Sequence, residues 1–139
     1  KFGFVRKTEE NQVVAEYIKI MNIKTPTPDQ LVGNLSGGNQ QKVSIGKSLA
    51  NKPQVLLLNE PTRGIDVEAK QEIYRLIRNL ANEGMAVLMF TSDMMEVIGL
   101  SDRVITMYEG QITGELTGNE ISEEIIMRGV MNLSVKKEA

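Results

Sequence analysis

The sequence predicts an α/β fold built on a parallel sheet, and three observations carry that expectation. Val55-Leu56-Leu57-Leu58 is a short apolar run, as expected of a strand buried on both faces. Val67 to Asn82 sets Ile73, Leu76, Ile77 and Leu80 at the spacing of one helix face. Met85 to Phe90 is a second apolar run. Strand, helix and strand in that order call for parallel strands joined by a right-handed crossover.

Upstream, Glu9 to Met21 carries Val13, Val14, Tyr17, Ile18 and Met21 at helical spacing, and Thr25-Pro26-Thr27-Pro28 then forces a loop. A second helix fits Gly37 to Ala50, with Val43, Gly46, Leu49 and Ala50 on one side and Pro53 closing the unit. Arg75 and Arg78 suit the C-terminal half of the Val67–Asn82 helix, which Gly84 stops. Asp93 is placed to cap a further helix, with Glu96 at the capping-box position. Arg103 to Tyr108 and Gln111 to Leu116 read as a hairpin around Glu109-Gly110. A last helix spans about Ser122 to Arg128, with Gly129 after its end.

Composition narrows the chemistry. The 139 residues carry sixteen basic and eighteen acidic side chains, a net charge of −2, so no basic excess exists to neutralise a nucleic-acid backbone. With no cysteine, disulfides, thiolate nucleophiles and Cys-based zinc sites are excluded. With no histidine, Ser-His-Asp and Cys-His mechanisms are excluded too. No apolar run approaches the roughly 20 residues of a membrane-spanning helix. The start, Lys1-Phe2-Gly3-Phe4, has neither an initiator Met nor a secretory apolar stretch. The expectation is a cytoplasmic segment of a longer protein, although processing would also remove a Met.

In open α/β sheets the ligand sits beyond the carboxyl ends of the strands, which directs attention to Asn59-Glu60 and to Thr91-Ser92-Asp93. Glu60 ends an apolar strand, where phosphoryl-transfer enzymes place a base or metal anchor; a strand running into a proline turn explains the same residues. Leu35-Ser36-Gly37-Gly38-Asn39-Gln40-Gln41-Lys42 opens a helix. Its unpaired N–H groups and positive dipole end attract anions; a serine cap with two loop glycines explains that stretch as well. Gly46-Lys47-Ser48 imitates the end of a phosphate-binding loop, but Gln41 stands where the first glycine belongs and the tripeptide falls inside a helix. Lys47 reads as a solvated helix residue.

Taken together, Leu35–Asn39, a helix, Val55–Glu60 and Gly64-Ile65-Asp66 resemble the nucleotide-binding domain of ATP-binding-cassette (ABC) transporters. Leu35–Asn39 matches the signature motif, Val55–Glu60 the Walker B strand and Gly64-Ile65-Asp66 the D-loop; Ser92 falls at the switch position. The spelling of Leu35–Lys42 and Glu60–Val67 is similar to the second ATP-binding half of ribose-, galactose- and arabinose-type importers.

The resemblance implies a partial P-loop NTPase fold with a parallel sheet, a C-terminal hairpin and part of the helical signature subdomain (residues 1–52), the rest (53–139) belonging to the ATPase core. The P-loop strand would be missing. It implies ATP with Mg²⁺ in the intact parent, held between two halves, with Ser36, Gly37, Gly38 and Asn39 contacting the γ-phosphate held by the other half. Glu60 would be the general base and Asp66 a contact across the seam. Membrane permease subunits, a second nucleotide-binding half (possibly in the same parent chain) and the cytoplasmic face of the membrane follow from the same resemblance; nucleic acid does not.

The chain departs from the family at three positions. Asn39 replaces the usual Gln, as the sugar-import branch tolerates. Asn59 replaces the usual Mg-site Asp and brings no charge to a metal that prefers charged oxygens. Ser92 lacks the switch ring nitrogen. A non-catalytic half acting as a dimerisation or regulatory module is therefore the alternative to an ATPase segment powering import of a monosaccharide. A DNA-repair or translation ATPase is disfavoured by the acidic charge and the absence of long heptads. Micromolar ATP binding needs about 8 kcal/mol, whereas a helix N-terminus supplies roughly 0.3–2 kcal/mol, so the segment alone is expected to be inactive. In the family the P-loop strand lies between the 85–90 and 103–108 strands. Its absence leaves two apolar edges, and the segment is expected to self-associate, swap elements or pair those strands directly.

Overall fold

The computed structural model describes residues 6–133. What the sequence suggests for Lys1–Phe4 and for the outer ends of the two expected subdomains lies outside them. The chain divides into two compact units, Lys1–Phe90 and Thr91–Ala139. The expected boundary between residues 52 and 53 falls inside the first.

In the first unit, helix α1 (Lys7–Ile20) leads through the proline loop and a 3-10 turn at Val32–Asn34 into α2 (Gly37–Leu49). Asn22, at φ +47°, ends α1 in the left-handed conformation, and the Ile23 N–H closes back on the Ile18 carbonyl at 2.9 Å. Tyr17 donates its hydroxyl to the Leu49 carbonyl at 2.9 Å, and Met21 is buried beside Gly46. On α2 the buried side chains are Lys42, Ile45 and Leu49. Ala50, expected on the inner side, is exposed and Val43 is half-buried, because the contact face is set by α1 and α3 and runs through Ile45. Gly46-Lys47-Ser48 lies within α2, with Lys47 exposed.

Strands β1 (Val55–Asn59) and β2 (Ala86–Phe90) pair in parallel, Leu57 opposite Leu88 and Asn59 opposite Phe90. They are joined by α3 (Val67–Asn82), which buries Ile73 and Ile77. Asp66 caps α3 by accepting the Ala69 N–H at 2.9 Å, and Gly84, at φ +96°, follows its end. The expectation of strands buried on both faces is corrected here. Leu56 and Leu58 are buried, but Val55, Leu57, Leu88 and Phe90 are exposed. Partners across a parallel ladder project to the same side, so these four form one face. Helix α3 packs against β2, and among the described residues of this unit no layer covers the opposite face.

The second unit starts with α4 (Met94–Leu100), capped by Asp93 through the Met95 and Glu96 N–H groups. Glu96 is buried. Strands β3 (Arg103–Tyr108) and β4 (Gln111–Thr117) form an antiparallel hairpin. Glu109 and Gly110, at φ +47° and +78°, make the two-residue turn whose twist suits a hairpin. A bulge after Thr106 leaves Thr113 as the extra residue. Val104, Leu116 and Ile126 form the core, with Met94, Val97, Ile121 and Ile125 against it. Helix α5 (Glu123–Val130) starts at the Ser122 cap but continues through Gly129, two residues beyond the expected stop at Arg128. Asn132, at φ +53°, takes the terminating role expected of that glycine. Among the described residues β2 pairs only with β1 and β3 only with β4, so the direct pairing of the 85–90 and 103–108 strands does not occur.

Candidate functional site

The signature turn is assembled by side chains around a helix start. Ser36, extended at φ −61° and ψ 154°, occupies the cap position of α2, but its hydroxyl caps no helix N–H. The hydroxyl instead accepts from Asn39 Nδ2 at 2.9 Å, while Asn39 Oδ1 accepts the Lys24 N–H at 2.8 Å. Gln40 Nε2 donates to the Leu35 carbonyl at 2.8 Å. Ser36 and Gly37 are exposed and Gly38 is buried. The burial has a reason: a Cβ on Gly38 would fall 2.5 Å from the Cβ of Ala69. Gly38 therefore lets α2 lie on α3, while Ser36 and Gly37 stay exposed.

A hollow of about 140 Å³ opens between the starts of α2 and α3, lined by Ser36, Gly38, Asn39, Lys42, Asp66 and Glu72 among others. The structure thus brings the signature turn and the D-loop aspartate to one place. The Gly64 carbonyl lies 3.9 Å from where a Cβ on Gly37 would stand, so the Gly64-Ile65-Asp66 turn borders the same spot. Lys42 Nζ reaches Glu72 Oε2 at 2.5 Å and the Asn22 carbonyl at 3.0 Å. The hydrogen bond from Lys42 holds the Glu72 carboxyl below the usual glutamate range, against the opposing effect of burial. Sequence reasoning assigned neither Lys42 nor Glu72 a part. Their thirty-residue separation crosses from one helix to another, and the only signal was a lysine on the inward side of α2.

Asn59 and Glu60 end β1 and do not line that hollow. Asn59 is exposed and Glu60 half-buried. Glu60 stands at φ +46°, uncommon for a residue with a side chain and a conformation that recurs at functional sites. Its N–H is held by the Phe90 carbonyl at 2.8 Å, which ties the turn to the end of β2. Ser92 lies in the second unit and is exposed; beside it Thr91 Oγ1 accepts the Asp93 N–H at 3.0 Å.

A nucleotide and Mg²⁺ can be tested against these residues. Ligand pockets usually enclose roughly 300–1,000 Å³, so a hollow of about 140 Å³ does not hold a whole nucleotide, and its lining mixes Lys24 and Lys42 with Asp66, Glu68 and Glu72. The end of β1 offers Mg²⁺ one carboxylate and one neutral amide. That is a weak donor set for a metal that prefers charged oxygens, and it would need phosphate oxygens of a bound nucleotide to complete it.

Comparison with known proteins bears on this geometry. The chain is similar to the cassette MJ0796, solved as a dimer in a post-hydrolysis state bound to ADP and Pi, at 26% identity and TM-score 0.72, covering 84% of this chain and 50% of that one. It is similar to cbiO1 of Clostridium perfringens, part of the ABC transporter complex cbiONQ, at 28% identity and TM-score 0.72, covering 91% and 51%. A nucleotide-free ATP-binding cassette matches at 22% identity and TM-score 0.80, over 91% and 50%, a likeness of fold alone. The fold is that of part of an ATP-binding cassette. Residues 4–63 in addition match the family described as ABC transporter, a stretch containing the signature turn, β1 and Glu60. The chain spans about half the length of the solved cassettes it matches. No helix among the described residues is long and apolar enough to cross a membrane.

Proposed function

We propose that this chain is the signature-bearing part of an ABC ATPase that powers import of a small solute, with a monosaccharide as cargo. One observation carries the reading: Ser36, Gly38, Asn39 and Asp66 line one hollow, with Gly37 exposed beside the Gly64 carbonyl. Residues up to 52 act as part of the helical signature subdomain and those from 53 as part of the ATPase core. Ser36, Gly37, Gly38 and Asn39 meet the γ-phosphate of an ATP that a second nucleotide-binding half holds together with its Mg²⁺. Glu60 orients the attacking water of the chain's own site, and Asp66 contacts the other half. Permease subunits at the cytoplasmic face of the membrane receive the motion, and nucleic acid has no part. The segment alone is inactive, since it supplies only one wall of each nucleotide site, and its exposed apolar sheet face supports self-association.

A degenerate, non-catalytic half is the second reading, favoured by Asn59 and Ser92 at positions where charge and a ring nitrogen are usual in the resemblance. Equilibrium titration of the chain with Mg-ATP separates the readings, alone and with a complete cassette carrying a G-x-x-x-x-G-K-[ST] loop. The leading reading expects no micromolar binding alone, and nucleotide-dependent association plus hydrolysis with the partner. Association without any hydrolysis at the site of Glu60 would select the second reading. Nucleotide-independent behaviour in both mixtures would reject both.

A further inference from the structure

We infer that Lys42 is a positioning residue that holds the Ser36–Asn39 turn and the Asp66 turn as one body. The inference deepens the reading above, in which both turns face a nucleotide. The Lys42 side chain is only 4% exposed, rare for lysine unless paired. Its ammonium joins three segments: the Asn22 carbonyl beyond the end of α1 at 3.0 Å, α2 itself, and Glu72 on α3 at 2.5 Å. Asn22 is the residue that closes α1 in the left-handed conformation, and its carbonyl accepts from the lysine in place of a helix amide.

A second joint lies beside the first. Asn39 is engaged at both ends of its amide, by the Lys24 N–H and by the Ser36 hydroxyl. It therefore orients the serine oxygen. Gly38 against Ala69 closes the contact between the helices, and Asp66, whose carboxylate caps the Ala69 N–H, is carried by α3. An exposed ion pair could not enforce such a joint, because its two states differ little in energy. A buried cation is different: the Lys42 ammonium is shut away from water, so it depends on Glu72 and the Asn22 carbonyl for the partners that water would otherwise supply. With Lys42 in place, displacement of the signature turn displaces Asp66 as well, so an event at one is felt at the other.

Amide spectra of the full chain test this, comparing wild type with Lys42→Met, Lys42→Arg and Glu72→Gln. The expected result is that Lys42→Met and Glu72→Gln shift or broaden the Ser36–Asn39 and Asp66–Ala69 amides together. Val104 and Leu116 stay in place, and Lys42→Arg restores the wild-type pattern. A lowered melting temperature with both amide sets unmoved would overturn the inference, as would movement of one set alone. If Lys42→Met does not fold, Glu72→Gln carries the same test. A second measurement uses a complete cassette loaded with a non-hydrolysable ATP analogue. Lys42→Met should weaken its association with this chain about tenfold, within the range of ordinary site coupling, and Lys42→Arg should recover most of it. Should wild type fail to associate while the amides behave as expected, the nucleotide reading falls and the joint stands.

Discussion

Gly38 of α2 sits so close to Ala69 of α3 that a Cβ on the glycine would overlap the alanine methyl at 2.5 Å. Neither atom is the end of a flexible side chain, so relief requires the helices to part. Gly38→Ala should destabilise the chain by about 1–3 kcal/mol, the ordinary cost of overpacking, even though alanine is the better helix former. Urea unfolding measures it. An unchanged or raised midpoint would mean that the helices are not held at this spacing.

The Lys42–Glu72 pair makes stability pH-dependent in a definite direction. Its hydrogen bond lowers the Glu72 pKa in the fold, so the native state holds fewer protons than the unfolded chain in the acid range. The stabilisation is complete above the ordinary glutamate value of 4.5 and is lost as pH falls through the lower native value. Wild type should thus lose more stability than Glu72→Gln on acidification through that window, and the two curves should converge at its acid end. Denaturant midpoints collected from pH 7 downward give both curves; parallel curves would contradict the assignment.

Val55, Leu57, Leu88 and Phe90 leave an apolar face open on the β1–β2 pair. Contiguous apolar surface of this kind drives association, and among the described residues no further strand pairs with either outer edge of the pair. Sedimentation of the chain should show concentration-dependent assembly. Leu57→Lys combined with Leu88→Lys should return it toward monomer, with a stability change within about 1 kcal/mol because both positions already face water. A wild-type monomer at high concentration would remove this expectation.

Local signals made most of the fold legible in the sequence. The α3 span, the Asp93 cap and the Glu109-Gly110 turn are short-range features, set by periodicity, cap geometry and the twist that a two-residue hairpin demands. What escaped was set by tertiary contact. The continuous apolar run of β1 records a layer that no described residue of its unit supplies, so a pattern for two buried faces met a structure with one. The inner side of α2 runs through Ile45 and Lys42 because α1 and α3 flank it. At the candidate site, the adjacency of Ser36–Asn39 and Asp66 depends on the contact between α2 and α3, and the motif spelling could place the residues in sequence only. Asn39 was grouped with ligand-binding residues by its position in the motif, and its two intramolecular bonds become visible only in three dimensions.

Gly129 continues α5 for the same kind of reason, and its substitution provides a sharper test. A Cβ there would fall 2.8 Å from the Thr106 Cβ, while Thr106 is itself buried on β3. The Gly129 carbonyl accepts from Thr113 Oγ1 at 2.7 Å. That donation uses the only proton of the Thr113 hydroxyl, so Thr106 must be the donor in the 3.1 Å contact between the two threonines. The bulge that sets Thr113 out of register makes this chain of bonds possible, and it binds α5 to the hairpin. Gly129→Ala should cost about 1–3 kcal/mol by overpacking. Thr106→Gly would remove the obstructing atoms and the first donor together, so the double variant should lose less than the sum of the two single losses, by about 0.5–3 kcal/mol as expected for residues in contact. Simple additivity in a double-mutant cycle would show that α5 does not rest on Thr106.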